Sequence, residues 1–482
     1  MKKILFNYLV LIFAFFLVNS GCSNQEVNEG FDCFSVLAGR EATIDGSVMF
    51  AHDEDDGGKQ VVNWYKVPSL KHSPDEVINF KNGGVSVQPE ETNSYLWLEM
   101  PGMSFSDSYL NQYGVCIGSD ACSSREKKGV LTDGGIGYSL RRIMAERSKT
   151  AREAVKIGGE LVSNYGYASS GRTYCIADPN EAWMLSVVNG KHWIAQRIPD
   201  NHIAVIPNYY TIGEIDLTDT LNFLGSADIV EYAIEREWYN PDNGPFNFRE
   251  AYSSSGTLKS TGNIYRMWRG INMLSEVDYG LEDDFPFSFE PEQKIGVKDF
   301  MKVLRDHYEG TDLHSGKQNP HMSDIRSICS NTNQYGFVAQ LRSNMPVEIG
   351  AVLWIAPRRP CIQSFIPWYS GITKVPDGFG RNTYEQAIIE HFNPSPDIHT
   401  PVPELAYWHY FQESEANTGD YEKFFETKKT EIDAIENSLF KNQDGFEKEI
   451  LKTWEIDKEK ALQMITDYTA KWTKKTLHVT GQ

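Results

Sequence analysis

Four common catalytic signatures are missing from this chain. There is no Gly-x-Ser-x-Gly elbow, no Walker A loop, no Gly-x-Gly-x-x-Gly fingerprint and no His-Glu-x-x-His pair. Their absence excludes the usual serine-hydrolase elbow, P-loop phosphate binding, Rossmann-type dinucleotide binding and zincin chemistry. Cysteine is sparse, with seven in 482 residues at scattered spacings and no Cys-x-x-Cys pair. That pattern offers neither a zinc knuckle nor a regular disulfide framework, so most of these thiols are expected to be buried and free. The 11 histidines show no metal-ligand spacing either, and no metal or cofactor is expected. Positive charge is also short: 46 Lys and Arg stand against 66 Asp and Glu, for a net charge of -20. No basic run exceeds a Lys pair, which argues against a nucleic-acid partner, because phosphate binding needs concentrated Lys and Arg. Internal repeats and low-complexity tracts are absent as well.

The one long apolar run is at the start. Lys2-Lys3 precedes Ile4 to Val18, a stretch too short for a comfortable membrane span but suited to a signal peptide over residues 1–21. Gly21-Cys22 directly after it resembles a bacterial lipobox, in which Cys22 would be lipidated. The expected location is therefore outside the cytoplasm, periplasmic or anchored as a lipoprotein. Membrane contact is expected only through that lipid.

What the chain does have is a cysteine-led hairpin. Cys33 to Ala38 and Ser47 to Ala51 are β-rich, and Asp45-Gly46 between them is a two-residue turn signal. Pairing Ile44 with Ser47 sets Val36 opposite Asp55 and Cys33 opposite Gly58. The acidic run Asp53 to Asp56 then lies within a few residues of the Cys33 thiol. Thiol and carboxylates could form a catalytic site, or be a buried small residue beside a solvated strand end.

The stretch Cys33, Ala42-Thr43-Ile44-Asp45-Gly46-Ser47 and His52-Asp53-Glu54-Asp55 resembles the start of the cysteine-type N-terminal-nucleophile (Ntn) hydrolases of the dipeptidase and secernin family. His52 stands where that family commonly has Arg, and Asp53 where it has Asn. Further matches are Leu110-Asn111-Gln112-Tyr113-Gly114-Val115, the Trp-bearing strand pair from Tyr174 to Pro199, Ala204 to Asn208, Asn263 to Gly270, and Val303 to Thr311. The resemblance runs to about Gly371.

It implies an α+β fold, the four-layer αββα sandwich, in residues 33–400, followed by a C-terminal helical region over 401–482. It also implies that residues 22–32 are a prosegment, removed so that the α-amine of Cys33 can act as base. By carry-over, Cys33 is the nucleophile and Asp55 orients the ammonium. Asn111 and Asn208 stabilise the oxyanion, and Arg266 anchors charge. His52 and Arg269 are further candidates for substrate binding, with His52 partly charged because nearby carboxylates raise its pKa. The implied substrate is a dipeptide. A small acyl-amide is the alternative on the same fold, and an inactive peptide-binding lipoprotein the alternative from another class. A homo-oligomer is left open. Helices are expected over 150–165, 226–238, 297–309, 423–439 and 445–470.

Overall fold

The computed structural model describes residues 33–57, 60–316, 318–416 and 420–479. The expected signal peptide, Cys22 and the 22–32 prosegment lie outside the described residues. Among the described residues no helix is long and apolar enough to cross a membrane.

Strand β1 (Phe34–Ala38) and strand β2 (Val48–Asp55) lie at the middle of a six-stranded antiparallel sheet. Ile203–Ile206 flanks β1, and Asn333–Leu341, Ala351–Pro357 and Ile366–Tyr369 continue the sheet beyond β2. Every residue of β1 and β2 is buried. Alternation explains this, because successive side chains leave a strand on opposite faces, and here both faces are covered. One face meets a second sheet of eight strands, at the centre of which are Tyr167–Ala177 and Cys116–Ala121. The other face meets helices Thr261–Asn272 and Val297–Leu304.

Helices α1 (Tyr138–Arg147) and α2 (Ala151–Tyr165) cover the outer face of the eight-stranded sheet, where Thr150 caps α2 by accepting from the Glu153 amide. The architecture is a four-layer αββα sandwich, the arrangement that the family resemblance implies.

Three details depart from the sequence expectation. The hairpin register differs: Val36 faces Ala51 rather than Asp55, and Phe34 faces Asp53, which brings Cys33 opposite Glu54. Asp45-Gly46 does turn, with Gly46 at φ +73, but at the tip of a longer excursion over residues 39–47. That loop is held by outside partners: Gly39 and Glu41 amides donate to His202 and Asp200 carbonyls, and Thr43 bridges to Ile295. The slip is an even number of residues, so each side chain keeps its face. Second, the helix from Val297 ends at Leu304, and Asp306 to Glu309 form an irregular turn with Tyr308 at φ +67. The helix expected from Ser226 is likewise short, Ile229–Glu235. Third, the two C-terminal helices break at residues 455–457 rather than 440–444, giving Tyr421–Trp454 and Lys458–Val479.

These C-terminal helices complete the layer over the six-stranded sheet. Ile435, Leu439, Ile450, Ile465 and Trp472 join the same core as Trp354 and Tyr369. Glu447 reaches through that layer to form a two-pronged bond with Arg342, at 2.7 and 2.8 Å, and accepts from Tyr369 at 2.9 Å. Glu447→Ala would leave the buried Arg342 charge unpaired. Its expected cost is about 3–5 kcal/mol in chemical denaturation. A cost below about 1 kcal/mol, the range of surface pairs, would mean that the helix is peripheral.

Candidate active site

Cys33 Sγ points into the space between the sheets. Ser35, on the same face, donates to Asp120 Oδ2 of the opposite sheet at 2.7 Å. Around the thiol runs a connected chain of polar contacts. Cys33 Sγ donates to Glu54 Oε1 at 3.2 Å and lies 3.8 Å from the Asp55 carbonyl. Glu54 Oε2 is 3.1 Å from His52 Nε2, and His52 Nδ1 is 2.8 Å from Ser35 Oγ.

The protons in this chain can be placed by donor counting. Ser35 has one hydroxyl hydrogen, directed at Asp120, so its oxygen accepts from His52 Nδ1–H. A neutral imidazole then presents a bare Nε2, which requires a donor, and the group facing it is Glu54. Glu54 is therefore the protonated member. Electrostatics agree: burial raises Glu54 to about 8, against the opposing pull of Arg141 and the Cys33 hydrogen bond. Burial lowers His52 to about 4, although Asp120 acts to raise it. Burial also lifts Asp120, but only to about 6, which leaves it ionised at neutral pH. The expectation that neighbouring acids would charge His52 is thus reversed, because desolvation outweighs them. The thiol itself is pushed well above its ordinary range, first by burial and then by the neighbouring acids Glu54, Asp56 and Asp120.

The acidic run is sealed rather than solvated. His52 to Asp56 are at most 1% exposed. The Asp53 carboxylate has no hydrogen-bond partner among the described residues, and burial pushes both Asp53 and Asp56 well up. Asp55 occupies the helix-facing side of β2. Its carboxylate accepts from Ser330 Oγ at 2.5 Å and pairs with Arg326 at 3.4 Å.

Arg266 is fully buried and ties the far side of the nucleophile together. Nη1 donates to the Cys33 carbonyl at 3.1 Å, and Nη2 donates to Asn208 Oδ1 at 2.8 Å and Asn263 Oδ1 at 3.0 Å. The helix that carries it can approach β1 closely because of Gly270, where a Cβ would stand 2.8 Å from the Phe34 ring. Asn208 Nδ2 is buried and has no partner among the described residues. It is an oriented donor with its carbonyl end already held.

Two candidates are not brought to Cys33. Asn111 is at the other end of its strand (Ser108–Asn111) and faces α1. Nδ2 donates to the Ala145 and Ser148 carbonyls at 2.9 and 2.8 Å, while Oδ1 accepts from the Tyr113 and Val115 amides. All its hydrogen-bonding capacity goes into locking a turn, so the oxyanion assignment is withdrawn. Arg269, one turn along from Arg266, forms a two-pronged pair with Asp306 at 2.9 and 2.6 Å and lines a separate cavity of about 570 Å³ beside Lys298 and Lys302. Its substrate-binding assignment is withdrawn too.

Sequence reasoning missed Ser35, Glu54, Asp120, Ser330 and Arg326. Glu54 was readable in principle, since alternation puts it on the same face as His52. Asp120, Ser330 and Arg326 come from distant segments, and nothing local marks them. Cys33, His52 and Glu54 bring three metal-ligating atoms within 4.8 Å of one another, but here their lone pairs and protons satisfy each other.

Comparison with known proteins gives a consistent result. The sequence profile of peptidase family C69 matches residues 32–416, starting one residue before Cys33. A probable dipeptidase from Latilactobacillus sakei is 26% identical over 430 residues, covering 86% of this chain and 89% of that protein. A dipeptidase from Bifidobacterium longum is 28% identical over 406 residues, 75% of each. Dipeptidase A from Lactobacillus helveticus is 26% identical over 369 residues, 72% of this chain and 77% of that one. Among solved structures, a variant of the conjugated bile acid hydrolase from Clostridium perfringens aligns at a TM-score of 0.33 and 11% identity over 67% of this chain and 89% of its own, too loose a match to decide anything.

The proton on Glu54 has a measurable signature. Unfolded, the group ionises near 4.5; folded, it holds its proton to about 8. Between those values the unfolded chain has lost a proton that the native state keeps, so this contribution to stability falls as pH rises. Glu54→Gln supplies the same donor and acceptor without an ionisable group. Its thermal midpoint should match wild type near pH 4.5 and move progressively above it toward pH 8. A constant offset across that window would show that Glu54 does not carry the proton.

Proposed function

Since this chain belongs to peptidase family C69 and is a peptide-bond hydrolase, we propose that it is an exported cysteine-type dipeptidase acting through Cys33 as its N-terminal residue. The observation that carries this reading is the setting of Cys33, whose sulfur meets Glu54 while its carbonyl is clasped by Arg266. A thiol at 1% exposure with its proton held so tightly is idle. Removal of residues 1–32 would create a free α-amine on the same residue. Such an amine has a pKa of about 7.7–8.0 and suits general-base work at neutral pH. The same cleavage would release the enzyme from any lipid on Cys22.

In the reaction, Cys33 Sγ attacks the scissile carbonyl, and the α-amine accepts the thiol proton and returns it to the leaving amine. Asp55, held by Ser330 and Arg326, steadies the resulting ammonium. Asn208 Nδ2 donates to the oxyanion, with the amide fixed in that orientation by Arg266. A dipeptide carries its own ammonium two bonds from the scissile carbon, so that charge arrives close to Sγ. Glu54, Asp56 and Asp120 are the acids whose fields act on the thiol, and a bound ammonium would favour their ionised forms. An acyl-amide of the bile-salt or penicillin type brings only apolar atoms to that position and would leave buried carboxyls without a partner.

Intact mass and amino-terminal sequencing of the exported protein should show Cys33 as residue one. Cys33→Ala should abolish dipeptide hydrolysis, and Asn208→Ala should lower kcat by about 10²–10³. An Nα-acetylated dipeptide should be turned over at least about 10²-fold less well than the free one, because it cannot satisfy the acids. An active enzyme that begins at Cys22, or an active Cys33→Ala, would refute the mechanism. Equal use of the acetylated peptide would refute dipeptide specificity.

A further inference from the structure

Behind Asp55, on the helix-facing side of the sheet, four side chains from four separated segments converge. His307 follows the helix Val297–Leu304, and His321 belongs to a short 3-10 turn, Pro320–Met322. Cys329 precedes the strand Asn333–Leu341, and Cys361 lies in the turn Pro360–Ile362. All four are buried, and each offers one ligand atom within 4.8 Å of the other three. Neither thiol is in a disulfide. We propose that these residues form a Cys2His2 structural zinc site.

The distances have the right scale. Zinc–nitrogen and zinc–sulfur bonds of about 2.0–2.1 and 2.3 Å place tetrahedral ligands about 3.3 Å apart for two nitrogens and about 3.5 Å apart for nitrogen and sulfur. Here His307 Nε2 is 3.1 Å from His321 Nε2, and Cys361 Sγ and Cys329 Sγ are 3.5 and 3.8 Å from His321 Nε2. The surroundings also fit. His307 Nδ1 is 2.9 Å from Glu309 Oε1, so its ring hydrogen lies on that side and the Nε2 lone pair faces the cluster. A carboxylate behind a ligating histidine is the usual way of fixing its tautomer. His321 Nδ1 is 3.5 Å from the Tyr421 hydroxyl, and Phe424 and Phe425 pack over the two cysteines. Tetrahedral S2N2 coordination selects zinc over harder cations.

Binding converts two thiols to thiolates and releases two protons, giving a neutral centre. No open coordination position remains, so the role is structural. The site cross-links residues 307–329 to the turn at 361. Ser330, next to Cys329, and Arg326, three residues before it, are the partners of Asp55. The metal would thus hold the loop that supports the active-site strand.

The test is elemental analysis of the untagged full-length protein purified under reducing conditions. The expected result is one zinc per chain, lost in Cys361→Ser and in His321→Ala. Because either variant could misfold, the wild type should also be loaded with Co(II). A tetrahedral site with two thiolates predicts intense visible ligand-field bands together with thiolate-to-cobalt charge transfer. Absence of zinc after reconstitution of the reduced protein, a Cys329–Cys361 disulfide in peptide mapping, or a cobalt spectrum without thiolate charge transfer would each overturn the proposal.

Discussion

Burying five consecutive ionisable side chains, His52 to Asp56, is possible only if most of them are uncharged. An isolated ionised carboxylate in a protein interior is costly enough that the group takes up a proton instead. The relay from Cys33 to Asp120 follows from that constraint. It confines the negative charge to Asp120, where a hydroxyl donates to it, and keeps Glu54 and Cys33 protonated and His52 neutral. The resting thiol is therefore quiet. Its reactivity depends on a base that the relay does not contain, which is why the α-amine is central to the proposed mechanism.

The two faces of β2 divide the work. The inter-sheet face carries Glu54 and His52 with the thiol, and the helix-facing side carries Asp55 with Ser330 and Arg326. Arg266 reaches the Cys33 backbone from the helix Thr261–Asn272 and simultaneously holds Asn208 at the end of the neighbouring strand. Cys33, Asn208 and Asp55, the proposed nucleophile, oxyanion donor and acid, are thus fixed by three elements of one sheet and the helix packed on it. That rigidity suits a site whose reacting groups must stay aligned through two proton transfers.

The Asn111 and Arg269 cases show how positional likeness fails. Asn111 opens a turn whose Tyr113 and Val115 amides occupy its oxygen, while the Ala145 and Ser148 carbonyls at the end of α1 take its amide hydrogens, and these four bonds outweigh any other role. Arg269 lies three residues after Arg266, close to one helical turn, yet Asp306 captures it because the helix before that residue stops at Leu304 and lets the chain turn back. A sequence motif gives the neighbourhood of a side chain, whereas its partner is chosen by whichever acceptor the fold brings within reach.

By itself the sequence determined the nearness of thiol to acidic strand end, because alternation and turn chemistry act over a few residues, while the layered α+β class was implied by the family resemblance. The Asn208 and Arg266 assignments came from family motifs that are also local. Tertiary structure alone decided the hairpin register, which is set by Asp200, His202 and Ile295 rather than by Asp45-Gly46. It also decided the charge of His52, which depends on burial between two sheets. The same holds for the convergence of Asp120, Ser330 and Arg326, and for the four-residue cluster spanning His307 to Cys361. Those features depend on contacts between residues tens to hundreds of positions apart, and on desolvation, neither of which is encoded in any short stretch of chain.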